Sequence, residues 1–290
     1  MNRLSNIDYR VDMAELKKGL DTAADLVAGG ADHELLKKLF SVIDLTSLSE
    51  TDNDEKIIAM TEKVNRLKDQ FPELPSLAAI CVYPSLVTAV SGALGVKETG
   101  IASVSAGFPS SQTFKEVKVL ETEMALKAGA TEIDIVISVG KALRGQFEEI
   151  YDELAAVKAV MNGAHLKVIL ETGSLKDPVL IRNCSFIAME AGADFIKTST
   201  GKTGTGATPE AVWIMARAVA DFYYLTGRRV GIKPAGGIAD IPQALMMYQI
   251  VRGILGEKWV QPKLFRIGAS RLANRIIADF YKKSEDFTYF

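Results

Sequence analysis

The chain has few residues of the kinds that bind metals or cross-link segments. Its 290 residues include two histidines and two cysteines. His33 and His165 do not form the paired spacing of a zinc hydrolase, so a catalytic metal site built on histidine is not expected. Cys81 and Cys184 lie too far apart for a CxxC element and are too few for a disulfide framework. We therefore expect no metal, no cofactor and a reducing compartment.

The chain also lacks an excess of either charge and a long apolar segment. It carries 34 Lys and Arg against 36 Asp and Glu. This gives no general attraction to nucleic acid or to an anionic membrane, so an anionic ligand must be held locally. No apolar run reaches the ~18 residues of a transmembrane helix, and the N-terminal segment is too charged for a signal peptide. These features predict a soluble, cytoplasmic protein without nucleic-acid or membrane partners.

A repeating pattern of strands and helices occupies most of the chain. Before it, apolar residues at helical spacing predict an N-terminal helical cap, residues 1–38. An amphipathic segment of helical length then follows each of eight short runs rich in valine and isoleucine. The predicted strands are Phe40–Leu45, Leu77–Val82, Ile101–Ser105, Glu132–Ile137, Leu166–Leu170, Asp194–Thr198, Val230–Lys233 and Leu264–Ile267.

Eight consecutive strand–helix units predict an α/β protein with a (β/α)₈ TIM barrel, covering residues 39–281. A doubly wound open sheet is the alternative. It is disfavoured because no GxGxxG follows the first strand and no change of composition marks a second domain. The polar and aromatic residues 282–290 are predicted to form a mobile C-terminal tail.

Charged residues at the ends of several strands converge if the barrel prediction holds, because a TIM barrel has its active site at the carboxyl ends of its strands. Side chains alternate between the barrel interior and the surrounding helices. With the isoleucines of the fourth strand facing the helices, Asp134 faces the interior, and the same alternation points Lys233 inward. Lys197 and Asp44 can share that interior.

Two lysines and an aspartate in one interior point to Schiff-base chemistry. A second ammonium and partial burial lower the pKa of an amine, and a carboxylate can move protons as a carbinolamine becomes an iminium and then an enamine. The alternative is an interior layer of ion pairs in which Lys197 and Lys233 are paired with Asp134, Glu132 or Glu171. Lys167, near the start of its strand, is given a structural role.

Glycine-rich turns follow the last three predicted strands, and turns of this kind with a helix behind them can hold a phosphate. The turns are Thr200-Gly201-Lys202, Ala235-Gly236-Gly237 and Gly268-Ala269-Ser270. Each could also be a simple strand-to-helix turn. A nucleotide P-loop is rejected, since Ile196 stands where that motif needs glycine. Cys81, at the end of the second strand, is expected to be part of the cavity wall and not a nucleophile.

Seven blocks in this order resemble the deoxyribose-phosphate aldolases, class I enzymes that cleave 2-deoxyribose 5-phosphate to acetaldehyde and glyceraldehyde 3-phosphate. The resemblance runs from about Ile43 to the helix after Ser270. The blocks are Ile43-Asp44-Leu45-Thr46, Ala79-Ile80-Cys81-Val82-Tyr83-Pro84, Ala106-Gly107-Phe108-Pro109, Glu132-Ile133-Asp134, Phe195-Ile196-Lys197-Thr198-Ser199-Thr200-Gly201-Lys202, Lys233-Pro234-Ala235-Gly236-Gly237 and Arg266-Ile267-Gly268-Ala269-Ser270.

The resemblance implies that Lys197 is the Schiff-base lysine, Lys233 the cation that lowers its pKa and Asp134 the proton-relay carboxylate. It also implies that Lys202 touches the sugar phosphate and that the chain forms a homodimer. Further pocket residues follow from the resemblance or from the turns described above. They are Asp44, Thr46, Cys81, Thr200, Gly201, Gly236, Gly237, Gly268 and Ser270.

The chain departs from this family's pattern in three places. Residues Thr203–Gly206 are smaller than in family members, and Arg271 stands where bacterial relatives often have a second serine. Some relatives end in a tyrosine that assists proton transfer, whereas here Phe290 follows Tyr289. Two other functions are kept as alternatives: another Schiff-base sugar-phosphate enzyme such as a transaldolase, and a barrel that binds a protein partner without catalysis.

Overall fold

The strands form one parallel barrel, as the sequence predicts. A computed structural model of the chain describes residues 7–284 and 286–290. Its strands pair side by side in the order β7-β6-β5-β4-β3-β2-β1-β8. The strands are β1 Ile43–Thr46, β2 Ala79–Val82, β3 Gly100–Ser105, β4 Glu132–Val136, β5 His165–Ile169, β6 Phe195–Lys197, β7 Gly231–Lys233 and β8 Ile267–Ala269.

The last seam of the barrel lies between β7 and β8 and is closed by fewer hydrogen bonds than the others. Isolated parallel bridges join Ile232 to Phe265 and Ala235 to Gly268 across it. At the other edge of β8, Ile267 pairs with Ile43 of β1. All eight strands therefore surround one interior, and the residues at their carboxyl ends meet at one mouth.

Helices surround the barrel because each strand is buried on both faces and needs an apolar cover. Several of the longer helices have an N-terminus capped by a short polar side chain. Asp177, Thr208 and Asp240, for example, each accept a hydrogen bond from a backbone amide of the first turn. The helices are α1 Met13–Ala28, α2 His33–Ser41, α3 Asp54–Asn65, α4 Leu67–Gln70, α5 Val87–Ala93, α6 Lys115–Lys127, α7 Val139–Leu143, α8 Phe147–Ala159, α9 Thr172–Leu175, α10 Pro178–Glu190, α11 Pro209–Thr226, α12 Ile241–Leu255 and α13 Leu272–Phe280, with a 3₁₀ turn at Pro84–Leu86.

The N-terminal extension is helical in its described part. Helix α1 packs on α11 and α12, and Gly19 allows the close approach to α11, since a Cβ there would lie 2.4 Å from Nε1 of Trp213. The first six residues of the predicted cap lie outside the described residues. None of the described helices is both long and apolar enough to cross a membrane.

Two predicted strands, the first and the eighth, start three residues too early, whereas the other predicted strand ends differ from the structure by at most two residues. Phe40 belongs to α2, because Leu36, Leu39 and Phe40 lie on one buried helical face after the capping residue Asp32. The eighth strand begins later than predicted, since regular pairing with β1 starts only at Ile267. Before it, Phe265 forms an isolated bridge with Ile232 of β7.

The C-terminal residues, predicted to be mobile, pack against the outside of the barrel. The Tyr289 hydroxyl donates to the Lys63 carbonyl over 2.8 Å, and the amides of Tyr289 and Phe290 donate to Asn274 Oδ1. The Tyr289 ring also contacts Phe71 edge to face. Glu285 of this segment lies outside the described residues. The division into cap, barrel and tail stays a prediction.

Candidate active site

Asp134, Lys197 and Lys233 meet in the barrel interior. Nζ of Lys197 donates to Oδ2 of Asp134 over 2.8 Å, and Nζ of Lys233 donates to the same oxygen over 2.7 Å. Asp134 and Lys233 are fully buried, whereas Lys197 is 3% exposed. Alternation along β4, β6 and β7 brings the three together, and Lys197 is the member that reaches the cavity above.

The two lysines differ in how many carboxylates hold them. Burial lowers the pKa of Lys197; Asp134 opposes this shift and the Lys233 ammonium adds to it. Burial would also lower the pKa of Lys233, but Asp134 and Asp44 outweigh burial and raise it. The second carboxylate, Asp44, lies 2.5 Å from Nζ of Lys233. One amine is thus biased toward its neutral, nucleophilic form and its neighbour toward the cation.

A second layer of charges lies beneath this trio. Lys167 contacts Glu132 and lies 3.1 Å from Asp44 and 3.3 Å from Asp134 Oδ1. Arg266 donates to Asp44 over 2.6 Å and to Glu132 over 2.8 Å. The ion pairs considered as an alternative from the sequence are thus present in part, since Lys197 and Lys233 both pair with Asp134. Among the described residues, Glu132 pairs instead with Lys167 and Arg266. Lys167 lies in this layer, as its position near the strand start suggested.

The lower layer should contribute strongly to folding stability. Glu132→Ala removes the carboxylate that Lys167 and Arg266 share and leaves Asp44 as the acid in contact with both cations. The resulting excess of buried positive charge should reduce the free energy of unfolding by about 3–5 kcal/mol. Denaturant unfolding measures the loss. As a control, Glu149→Ala removes an exposed ion pair with Lys141 and an exposed hydrogen bond from Gln146, and should cost less than ~1 kcal/mol. A loss of the same size in both variants would contradict a structural role for this layer.

The lower layer should also make the free energy of unfolding depend on pH. Burial would raise the pKa of Glu132, but the Lys167 charge, a hydrogen bond from His165 and the Arg266 charge together outweigh burial, and the pKa falls from 4.5 to about 2. Since the folded-state value is below the unfolded one, this stabilisation is present above the unfolded pKa and is lost as the pH falls toward about 2. The Glu132→Ala variant should therefore lose less stability than the unmodified protein between these values.

A cavity of about 410 Å³ opens above Lys197 at the carboxyl ends of β1, β6, β7 and β8. Three of the sequence-predicted residues, Asp44, Asp134 and Lys233, lie beneath it and are fully buried. Asp44 therefore supports Lys233 from below and does not line the cavity. The predicted residues that do line it are Thr46, Lys197, Thr200, Gly201, Lys202, Gly236, Gly237, Gly268 and Ser270.

Two glycine turns shape one end of the cavity. Gly236 and Gly237 have φ of 87° and 82°, a left-handed conformation that favours glycine. On β8, a Cβ at Gly268 would lie 3.2 Å from Cε of Lys233, so this glycine leaves room for the lysine side chain. Ser270 and Arg271 precede α13 and also line this end. Backbone amides and a cation here form a suitable place for a phosphate.

The opposite wall carries a polar cluster around Glu171, which the sequence offered as an ion-pair partner of the lysines and which the structure places beside two threonines instead. Glu171, 2% exposed, accepts a hydrogen bond of 2.6 Å from the Thr200 hydroxyl and one of 3.2 Å from Thr203. The Lys202 amide donates to Thr200 Oγ1 over 3.0 Å, and Nζ of Lys202 reaches the carbonyl of Leu48 across the cavity. The position of Glu171 directly after the fifth strand was the available signal.

Cys81 and Tyr289 lie away from the cavity lining. Cys81 is fully buried and packs with apolar neighbours such as Leu48 and Val104. Burial raises the pKa of its thiol, against the effect of Lys233. The Tyr289 hydroxyl is held at Lys63. Nevertheless the last residues are near this region, since Thr288 and Phe290 line a second cavity that shares Thr46, Ser47, Ser270 and Arg271 with the first.

Comparisons with known proteins identify the family. Residues 38–272 match the DeoC/LacD family aldolase model. The human deoxyribose-phosphate aldolase is 40% identical over 256 residues, covering 85% of this chain and 80% of that protein. The Agrobacterium fabrum deoxyribose-phosphate aldolase is 39% identical over 238 residues, which cover 82% of this chain and 88% of that protein. Among solved structures, the deoxyribose phosphate aldolase of Aeropyrum pernix, described as a unique tetramer, has the same fold with a TM-score of 0.67. The match has 27% sequence identity and covers 93% of this chain and 99% of that one. The chain belongs to the DeoC/LacD family of aldolases.

Proposed function

We propose that this protein cleaves 2-deoxy-D-ribose 5-phosphate reversibly to acetaldehyde and D-glyceraldehyde 3-phosphate, through a Schiff base on Lys197, in the catabolism of deoxyribose. The observation that carries the proposal is the shared contact of Lys197 and Lys233 with one oxygen of Asp134 below a polar cavity. Of the two amines, only Lys197 reaches the cavity and has a lowered pKa. The two deoxyribose-phosphate aldolases at about 40% identity support the choice of substrate.

The chemistry begins with the neutral amine of Lys197. It attacks the C1 aldehyde of the open-chain sugar, and the resulting carbinolamine loses water to give an iminium. Asp134, in contact with both amines, and the Lys233 ammonium are placed to move the protons of these steps. The iminium then accepts the electron pair of the C2–C3 bond as the C3 hydroxyl loses its proton. Glyceraldehyde 3-phosphate leaves, and the enamine takes a proton at C2 and is hydrolysed to acetaldehyde.

The phosphate of the substrate would bind at the glycine-rich end of the cavity. Gly236 and Gly237 can offer backbone amides there, with Ser270 before α13. Arg271 supplies a cation at the same end, at the position where the sequence departs from bacterial relatives. Lys202, on the polar wall, is placed to contact the sugar phosphate. The aldehyde end then faces Lys197.

Product analysis tests the assignment. The purified protein should convert 2-deoxyribose 5-phosphate to acetaldehyde and glyceraldehyde 3-phosphate, both measured by coupled reduction with NADH. Because the iminium provides the electron sink, prior treatment with EDTA should leave the rate unchanged within about twofold. Faster turnover of another phosphorylated sugar than of 2-deoxyribose 5-phosphate would favour a transaldolase-like enzyme. No turnover by a folded protein would favour a barrel that only binds a partner.

The assembly and the location of the protein belong to the same proposal. Helix α6 and the residue before it expose an apolar stripe of Phe114, Val117, Leu120 and Met124. Such stripes often mark interaction surfaces, which supports the homodimer implied by the family resemblance. A mass of one chain by light scattering would contradict it. The free thiols of Cys81 and Cys184 are compatible with the reducing cytoplasm that we propose as the location.

A further inference from the structure

The Glu171 side chain is a buried carboxylate without a cationic partner. Of the residues that the structure describes, those that donate hydrogen bonds to it are Thr200 and Thr203, and none forms an ion pair with it. The other buried carboxylates on the described barrel strands, Asp44, Glu132 and Asp134, each contact at least one lysine. Burying a carboxylate beside neutral donors is unfavourable unless its hydrogen bonds are made. Glu171 therefore calls for an explanation other than charge pairing.

The backbone of Glu171 is also unusual. It has φ of 57° and ψ of 56°, the left-handed conformation that residues with a Cβ rarely adopt. The residues on either side are fixed against β6, since the Leu170 amide donates to the Lys197 carbonyl and the Thr172 amide to the Thr198 carbonyl. The left-handed turn directs the carboxylate toward Thr200. Such conformations persist where surrounding contacts enforce them, often at functional sites.

The Thr200 hydroxyl is oriented by this contact. Its oxygen accepts the Lys202 amide at 3.0 Å, and its proton is donated to Glu171 at 2.6 Å. A hydroxyl has one proton and two acceptor positions, so Thr200 keeps one acceptor position while its proton is engaged. Thr200 and Lys202 both line the cavity. The oriented oxygen can therefore accept a hydrogen bond from a hydroxyl group of a bound sugar.

We propose that Glu171 is a positioning residue for the substrate: it fixes Thr200 as an acceptor for a sugar hydroxyl and holds the Thr200–Lys202 turn against the cavity. Glu171 itself lies behind Thr200 and does not line the cavity. Acetaldehyde has no hydroxyl to place, so its reaction with Lys197 does not depend on this contact. The proposal rests on the proposed function, and it predicts that Glu171 acts on sugar binding and not on the amine.

The test compares two reactions of the same variants. Glu171→Ala should raise KM for 2-deoxyribose 5-phosphate by at least about tenfold, the effect of losing a hydrogen bond to a charged group. Borohydride trapping of acetaldehyde on Lys197 should stay within about twofold of the unmodified protein. Glu171→Gln keeps an acceptor for Thr200 and a donor for Thr203, and should restore KM to within about threefold. An unchanged KM in Glu171→Ala, or an equal loss of trapping, would overturn the proposal.

Two further variants separate positioning from folding. Thr200→Val should show the same rise in KM with intact trapping, and adding Glu171→Ala to it should change KM by less than about twofold, because both act through one contact. The Thr200→Val measurement tests the proposal even if Glu171→Ala does not fold. Glu153→Ala is the matched control: Glu153 accepts from Ser138 and Lys118 on the outside of the barrel, so its loss should lower stability without raising KM. Additive effects of Thr200 and Glu171 would contradict the proposal, whereas inactivity of the unmodified protein would refute the proposed function instead.

Discussion

Replacing Lys197 with alanine should reduce kcat/KM for 2-deoxyribose 5-phosphate by roughly 10⁴-fold or more, the usual effect of removing a covalent nucleophile. The reason is that, of the two lysines that contact Oδ2 of Asp134, Lys197 lines the cavity and Lys233 is fully buried. Incubation with acetaldehyde and borohydride should leave an ethyl group on Lys197 of the unmodified protein, located by peptide mass spectrometry. The adduct should be absent from Lys197→Ala.

A second lysine provides the matched control for this experiment. Lys202 lines the same cavity but contacts the Leu48 carbonyl, and none of the described acidic side chains forms an ion pair with it. Lys202→Met should weaken sugar-phosphate binding and still form the acetaldehyde adduct on Lys197. An adduct on Lys202, or undiminished cleavage by Lys197→Ala, would show that the nucleophile has been assigned to the wrong residue.

Replacing Lys233 with leucine should make the reaction of Lys197 strongly pH-dependent. Without the Lys233 ammonium, the pKa of Lys197 should rise, because that cation helps to lower it and Asp134 would no longer be shared. A higher pKa leaves less neutral amine at pH 7, by a factor of about ten for each unit of the rise. Trapping with acetaldehyde should therefore fall at least about tenfold at neutral pH and recover as the pH approaches the new pKa. The trapping rate between pH 6 and pH 10 measures this.

The dependence of the rate on pH distinguishes an electrostatic role of Lys233 from a packing role. If Lys233 acted only by packing, its loss would lower the rate by the same factor at every pH. Lys118→Leu is the matched control, since Lys118 is another buried lysine paired with a glutamate, Glu153, on the outside of the barrel. That variant should lose stability and keep the unmodified pH profile. A rate that stays low up to pH 10 in Lys233→Leu would contradict the proposed role.

The trio could be predicted from the sequence because it depends on local alternation. Isoleucines next to Asp134 and Lys233 indicated which face of each strand was interior, and the order of the strands placed both at one mouth. The contacts between the trio and the layer beneath it depend on how the strands are staggered around the barrel. A local sequence pattern does not contain this information. Thus Arg266, which pairs with Asp44 across 222 residues, appeared in the sequence only as part of a motif.

The elements that the sequence missed are short or lie at boundaries. Helices α7 and α9 span five and four residues, too few to show a helical period. Phe40 was assigned to a strand because an apolar run at a helix end looks like a strand in isolation. Glu171 carried no signal of its left-handed backbone, which is enforced by hydrogen bonds on both sides that join β5 to β6.

The two charged layers of the barrel have a consequence for the reaction when their charges are summed. They contain the carboxylates Asp44, Glu132 and Asp134 and the basic side chains Lys167, Lys197, Lys233 and Arg266. Only Lys197 among these bases has a lowered pKa; the other three are raised. With Lys197 neutral, the buried set has no net charge. An iminium on Lys197 adds one positive charge to a region where water cannot screen it. Carbon–carbon cleavage removes that charge as the enamine forms, so the interior favours the step that breaks the bond.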